Sequence, residues 1–170
     1  MAAGLLLRRS CGVTGDEQLI FGENGKPYLK NGGLFFSISH SGDYAVLTVS
    51  GREVGADIEK IAPVSVSGAV AARCFTPDEL SWMRGQAADE AFYRLWTAKE
   101  SVMKASGLGF SLSPKTFSVL PTDASAHRIA GRSWFLHWLA YDGHVICSAV
   151  EGAAEKPEVI TVTPSDLLHA

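Results

Sequence analysis

Asp57 and Glu59 stand two residues apart in Val54-Gly55-Ala56-Asp57-Ile58-Glu59, a stretch that reads as a β-strand. Alternation along a strand sends both carboxylates to one face. Two like charges held so close repel unless a cation sits between them, and hard oxygen donors suit Mg²⁺. A solvated strand edge is the plain alternative. A third carboxylate, Glu100, lies in Trp96-Thr97-Ala98-Lys99-Glu100-Ser101-Val102-Met103-Lys104, four residues before Lys104. On a helix that spacing puts Glu100 and Lys104 on one face, where an ordinary surface pair contributes little. Trp96 lies one turn before Glu100 and reads as core. Ser39-His40-Ser41 offers an imidazole and two hydroxyls that can donate to a phosphate, although a half-exposed turn histidine looks the same. Lys26, before Pro27, reads by itself as a solvated lysine.

The elements that must hold these groups follow from periodicity and turn residues. A short apolar segment at the start reads as helical, and Gly25-Lys26-Pro27-Tyr28 marks a turn or extended loop. Leu34 to Ser39 and Tyr44 to Ser50 read as strands joined by a turn at His40-Ser41-Gly42-Asp43, with Glu53 to Glu59 as a third. An antiparallel meander is the expected result. Val66 to Cys74 is alanine-rich and reads as helix, and Thr76-Pro77-Asp78-Glu79 matches a capping box with Pro at the first helical position. Phe92, Leu95, Trp96, Val102 and Met103 fall near a 3.6 period, predicting a helix from about Ala88 to Ser106 that stops at Gly107. Ser133 to Tyr141 and His144 to Val150 flank Asp142-Gly143, a strong hairpin signal, and Pro164 to Leu168 reads as a short helix.

The chain has 170 residues, 46% hydrophobic and 19% charged, which suits a globular protein with a buried core rather than a disordered one. Its formal charge of -3 supplies no basic surface of the kind nucleic-acid binders carry, so no nucleic-acid partner is expected. No apolar stretch is long enough to span a membrane, and Leu5-Leu6-Leu7 is too short for a signal sequence. Cys11, Cys74 and Cys147 are odd in number and far apart, which argues for a reducing compartment and a cytoplasmic location.

Taken in order, Gly25-Lys26-Pro27, Phe36-Ser37-Ile38-Ser39-His40-Ser41, Val54 to Glu59, Phe75 to Glu79 and Trp96 to Lys104 resemble the motif series of the 4'-phosphopantetheinyl transferase superfamily. The surfactin-synthetase-activating type is the nearest in character. The resemblance runs from about Leu5 to the C-terminus and implies a shortened N-terminus. A strand and basic residues precede this point in relatives; either the natural protein is short or this sequence is a trimmed piece, and Arg8 and Arg9 would be a remnant of that region or a substitute for its charge.

The resemblance implies an α/β (α+β) fold, a pseudo-dimer of two similar halves, residues 1–62 and 63–170. Each half would be a small antiparallel sheet with packed helices, and the ligand would lie at the interface. It implies transfer of the 4'-phosphopantetheine arm of coenzyme A to a serine of an apo acyl or peptidyl carrier protein, dependent on Mg²⁺ and releasing adenosine 3',5'-bisphosphate. Asp57, Glu59 and Glu100 would hold the metal, and Lys104 would contact the pyrophosphate. Glu100, or a water oriented by Glu59, would take the serine proton. Ser39 and His40 match the position that meets the nucleotide's 3'-phosphate, Lys26 and Pro27 match the segment along the adenine end, and the role of Lys99 is left open. Carrier docking is expected around Gly107 to Pro114, with Leu108 and Phe110 as apolar contacts. Two alternatives remain: a non-catalytic relative that binds coenzyme A or a carrier protein, and an unrelated Mg²⁺-dependent phosphate-ester hydrolase.

Overall fold

The computed structural model describes residues 2–63, 68–122, 126–152 and 156–168. The first half opens with α1 (Ala2–Cys11), followed by β1 (Leu19–Phe21) and β2 (Pro27–Leu29), a small antiparallel pair. Next comes the hairpin of β3 (Phe35–Ser41) and β4 (Tyr44–Ser50), in register from Phe35 opposite Ser50 to Ser41 opposite Tyr44. Leu7, Val13 and Phe36 are its buried centre, with Ile38, Leu47 and Val49 packed around them.

β5 (Val54–Lys60) departs from the expected meander. It pairs with β8 (His144–Glu151) rather than with β4, in a sheet of order β5-β8-β7-β6 completed by β7 (Arg132–Tyr141) and β6 (Ala126–Ile129). A division after residue 62 would group β5 with the first half, yet its backbone ladder belongs to the second. The reason is visible in the strand itself. Val54, Gly55, Ala56, Asp57 and Ile58 are all buried, so β5 is covered on both faces and is an inner element of the molecule.

The edge of β5 away from β8 meets β3 through side chains. Ser37, Ser39 and Ser41, on one face of β3, accept from the backbone N–H groups of Ala56 at 3.0 Å, Ile58 at 3.4 Å and Lys60 at 3.0 Å. Three hydroxyls replace the carbonyls of an ordinary ladder, and those of Ser37 and Ser39 satisfy donors that would otherwise be buried and unpaired. The halves are joined along this seam.

The helices are α2 (Gly68–Cys74), α3 (Pro77–Met83), α4 (Ala88–Ser106) and α5 (Pro164–Leu168). The predicted start of α2 at Val66 lies outside the described residues. Thr76 and Glu79 form the expected capping box of α3, with the Thr76 hydroxyl accepting from Glu79 N and the Glu79 carboxylate accepting from Thr76 N. α4 spans the predicted range, carries Asp89 and Glu90 in its first turn, where they favour the positive end of the dipole, and ends at Gly107 with φ 71°. Its buried stripe, including Phe92, Leu95, Ala98, Val102, Met103 and Ala105, packs on Trp134, Leu136, Cys147 and Ala149 of the sheet to form the main core.

Two local features bear on the site. A Cβ at Gly55 would overlap the Ser101 carbonyl oxygen and the Ala105 amide, so only glycine lets α4 lie this close to β5. The Asp142-Gly143 turn has φ 44° and 70°, the double positive φ of a two-residue hairpin. The expected turn at 40–43 is shorter than anticipated: only Gly42 and Asp43 turn, and His40 and Ser41 complete β3.

Candidate functional site

β5, α4 and β3 converge at the seam. Gly55, Asp57 and Glu59 alternate toward α4, and α4 returns Glu100 and Lys104 toward them. Asp57 is buried, and its Oδ1 accepts from the Ser39 hydroxyl at 2.7 Å and from Lys104 Nζ at 2.6 Å. The Ser39 hydroxyl also receives Lys104 Nζ at 3.1 Å, so Ser39, Asp57 and Lys104 form a closed triangle. Glu59 accepts from the Ser41 hydroxyl at 3.2 Å.

Electrostatics tie the carboxylates together. Burial pushes the Glu59 carboxyl up, the charge of Asp57 pushes it further, and Ser41, Trp96 and Lys104 pull it back. Glu100 is raised first by burial, then by Asp57 and Glu59, with Lys104 opposing. Both glutamates therefore feel Asp57, and Glu100 also feels Glu59, through poorly solvated space. Asp57 Oδ2 is buried and has no hydrogen-bond partner, a costly position for an anionic oxygen.

Among the described residues no three His, Cys, Asp or Glu side chains are drawn together tightly enough to hold a metal ion. Lys104 instead neutralises Asp57. The donor set nevertheless fits a hard divalent cation: three carboxylates that repel one another, and one buried oxygen with a free ligand position. The fit is one of chemistry and placement. Glu59 and Glu100 are both only half-buried.

The other predicted residues are distributed differently. His40 is exposed and lies one residue out of phase with Ser39 and Ser41, on the opposite face of β3. Lys26 is not the solvated lysine its local sequence suggests. It is buried, and its ammonium donates to the Glu53 carboxylate, to Val54 O at 3.2 Å and to Ala105 O at 2.6 Å. All three protons are used, and the side chain ties the Gly25–Pro27 segment to β5 and to the end of α4. Pro27 is half-buried at the start of β2. Trp96 is half-buried beside the cluster rather than wholly in the core.

Lys99, whose role was open, is fully buried. Its Nζ meets Glu79 Oε2 at 2.9 Å, Pro114 O at 2.7 Å and Phe117 O at 2.6 Å, while Glu79 Oε1 accepts from Val119 N at 2.9 Å. This pair clamps the 114–119 segment and α3 to α4, and it does not face the carboxylate cluster. A cavity of about 760 Å³ lies elsewhere, lined by Val46, Ile58, His137, Tyr141 and Ile160 among others, and includes none of the cluster residues. Ile58 faces opposite to Asp57 and Glu59 on β5, so that cavity is on the other side of the strand.

Small antiparallel sheets and packed helices thus bring Asp57, Glu59, Glu100 and Lys104 to one seam. Comparison with known proteins sharpens this. A sequence model of the 4'-phosphopantetheinyl transferase superfamily matches residues 53–161. The chain belongs to that superfamily. It is similar to a Bacillus subtilis 4'-phosphopantetheinyl transferase, 41% identical over 101 residues, 57% of this chain and 44% of the relative. The psf-1 transferase of Bacillus pumilus is 39% identical over 108 residues, 60% of this chain and 46% of that protein. HetI of Nostoc sp. is 30% identical over 153 residues, 85% of this chain and 65% of that protein. The chain spans about half the length of most of these relatives. Asp57, Glu59, Glu100 and Lys104 lie inside the matched segment, whereas Lys26, Pro27, Ser39 and His40 precede it.

Proposed function

We propose that this chain is a 4'-phosphopantetheinyl transferase: it moves the phosphopantetheine arm of coenzyme A to a serine of an apo acyl or peptidyl carrier protein, with Mg²⁺, in the cytoplasm. The observation that carries the reading is Asp57, buried with one oxygen unpartnered, flanked by two glutamates raised by burial and by its charge and by a lysine, in a chain of this superfamily.

In this reading Asp57, Glu59 and Glu100, whose carboxylates suit a hard cation, would hold Mg²⁺. Bound there, the ion would offset charge developing on the equatorial and departing oxygens during attack at phosphorus. Lys104, now on Asp57, turns its partly exposed ammonium to the pyrophosphate and stabilises the leaving bisphosphate. The carrier serine oxygen forms the new bond to phosphorus as the bond to the adenosine bisphosphate breaks. The serine proton passes to Glu100 or to a water oriented by Glu59.

Ser39 orients Asp57 and Lys104 and lies where a phosphate oxygen could replace the carboxylate as its acceptor. His40 lies on the face of β3 away from Ser39 and Ser41, so a contact with the 3'-phosphate is supported by the motif resemblance and not by its placement. Lys26 has no free proton, so the Lys26-Pro27 segment would line the adenine end through its backbone and the Pro27 ring. Leu108 and Phe110, both exposed just beyond α4, are assigned to the carrier surface.

The test is mass spectrometry of an apo carrier protein after incubation with the protein, coenzyme A and Mg²⁺. The reading expects the carrier to gain one phosphopantetheine arm. An unchanged carrier mass over a panel of acyl and peptidyl carriers would overturn it.

A further inference from the structure

We infer that Ser41 is a positioning residue that aims the Glu59 carboxylate into the cluster. The inference rests on the proposed reading of Asp57, Glu59 and Glu100 as one cation site.

Ser37, Ser39 and Ser41 repeat one arrangement along β3, with an instructive difference. Each accepts an N–H from β5. Ser39 and Ser41 also donate to a carboxylate, and in both cases the acid immediately precedes the amide that the hydroxyl accepts: Asp57 before Ile58, Glu59 before Lys60. A hydroxyl has one proton and two lone pairs. With a lone pair committed to the amide, the proton is directed at the neighbouring carboxylate. The serine thus ties an acid side chain to the position of its own backbone. Ser37 joins the seam in the same way but touches no acid.

The balance between seam and aim differs along the row. Ser37 satisfies the buried amide of Ala56, which has no route to water. Ser41 satisfies the amide of Lys60 at the exposed end of the strand, where water can take over that donor. Its bond to the strand is therefore dispensable for folding. Its bond to Glu59 is less so, because Glu59 is half-buried on a flexible side chain and loses rotamer freedom whenever it is held for a ligand. Asp57 has Ser39 and Lys104 as partners; Glu59 has Ser41 on the β3 side and the Trp96 side chain on the α4 side, so Ser41 is the partner that ties it to the seam.

Uptake of Mn²⁺, a paramagnetic substitute for Mg²⁺, can be followed in the presence of coenzyme A by electron paramagnetic resonance of the free ion, without any turnover. Loss of a hydrogen bond that orients a metal-binding side chain weakens affinity about 10-fold or more. Ser41→Ala should show that loss with a melting temperature near wild type. Ser37→Ala should lower the melting temperature and leave Mn²⁺ affinity unchanged. Ser41→Thr, which keeps the hydroxyl on a side chain suited to a strand, should bind Mn²⁺ as the wild type does. Wild-type Mn²⁺ affinity in Ser41→Ala overturns the inference and spares the metal reading. Absence of Mn²⁺ uptake by the wild-type protein overturns both.

Discussion

Lys99 sits in the middle of a motif rich in functional residues, yet its geometry is that of a structural ion, and replacing it tests that distinction. Lys99→Met keeps the length of the side chain and removes its charge. The ammonium is fully buried against Glu79 Oε2 and the carbonyls of Pro114 and Phe117, three protons to three acceptors. The variant strands the Glu79 carboxylate, itself fully buried, with only the amides of Thr76 and Val119 for support. Removing one partner of a buried pair costs roughly 3–5 kcal/mol. The two remaining amide donors put the expected loss near the lower end, about 3 kcal/mol, a large part of a typical domain's ~5–15 kcal/mol. Equilibrium urea unfolding followed by far-ultraviolet circular dichroism measures it, provided the slope with urea is unchanged. A double variant, Lys99→Met with Glu79→Met, should recover much of the loss, because no buried charge is then left unpaired. A single variant within about 1 kcal/mol of wild type would refute the burial argument.

Gly55→Ala forces a methyl group into the backbone of α4 and should destabilise by about 1–3 kcal/mol, with a larger loss in turnover as Glu100 and Lys104 shift from β5; wild-type urea midpoint and turnover together would contradict the close approach. The raised carboxyls of Glu59 and Glu100 set a sign for pH. The folded protein keeps their protons to higher pH than the unfolded chain does, so metal-free stability should fall as pH rises from the ordinary glutamate range through the raised values. Added Mg²⁺ should stabilise increasingly over the same interval, since only the deprotonated acids bind it. Melting curves with Mg²⁺ and with a chelator would show the two trends, and parallel curves would count against a shared cation site.

Much of the site was legible because local periods set which groups face together. The two-residue spacing of Asp57 and Glu59 and the four-residue spacing of Glu100 and Lys104 survive in the structure as the two sides of one cluster. The partner of β5 was not legible in this way. Its pairing with β8 spans about half of the chain, and the structure buries Val54 to Ile58 as an inner strand. Ser39 and Ser41 read from sequence as phosphate donors, but the work of Ser37, Ser39 and Ser41 as acceptors along β5 depends on a tertiary contact with no local signature. Lys99 did carry a signal. It falls four residues after Leu95 and four before Met103, on the apolar stripe of α4, where a solvated lysine does not belong. Lys26 had none: a residue between Gly25 and Pro27 gives no hint that its ammonium reaches Ala105 O.

Calorimetric titration of coenzyme A with and without Mg²⁺ tests most directly whether the carboxylates at the seam form a single cation site for a pyrophosphate. The account predicts binding that tightens markedly when Mg²⁺ is present, and loss of that gain in Glu100→Gln and in Asp57→Asn. Equal affinity for coenzyme A with Mg²⁺ and with chelator in the wild-type protein would contradict it.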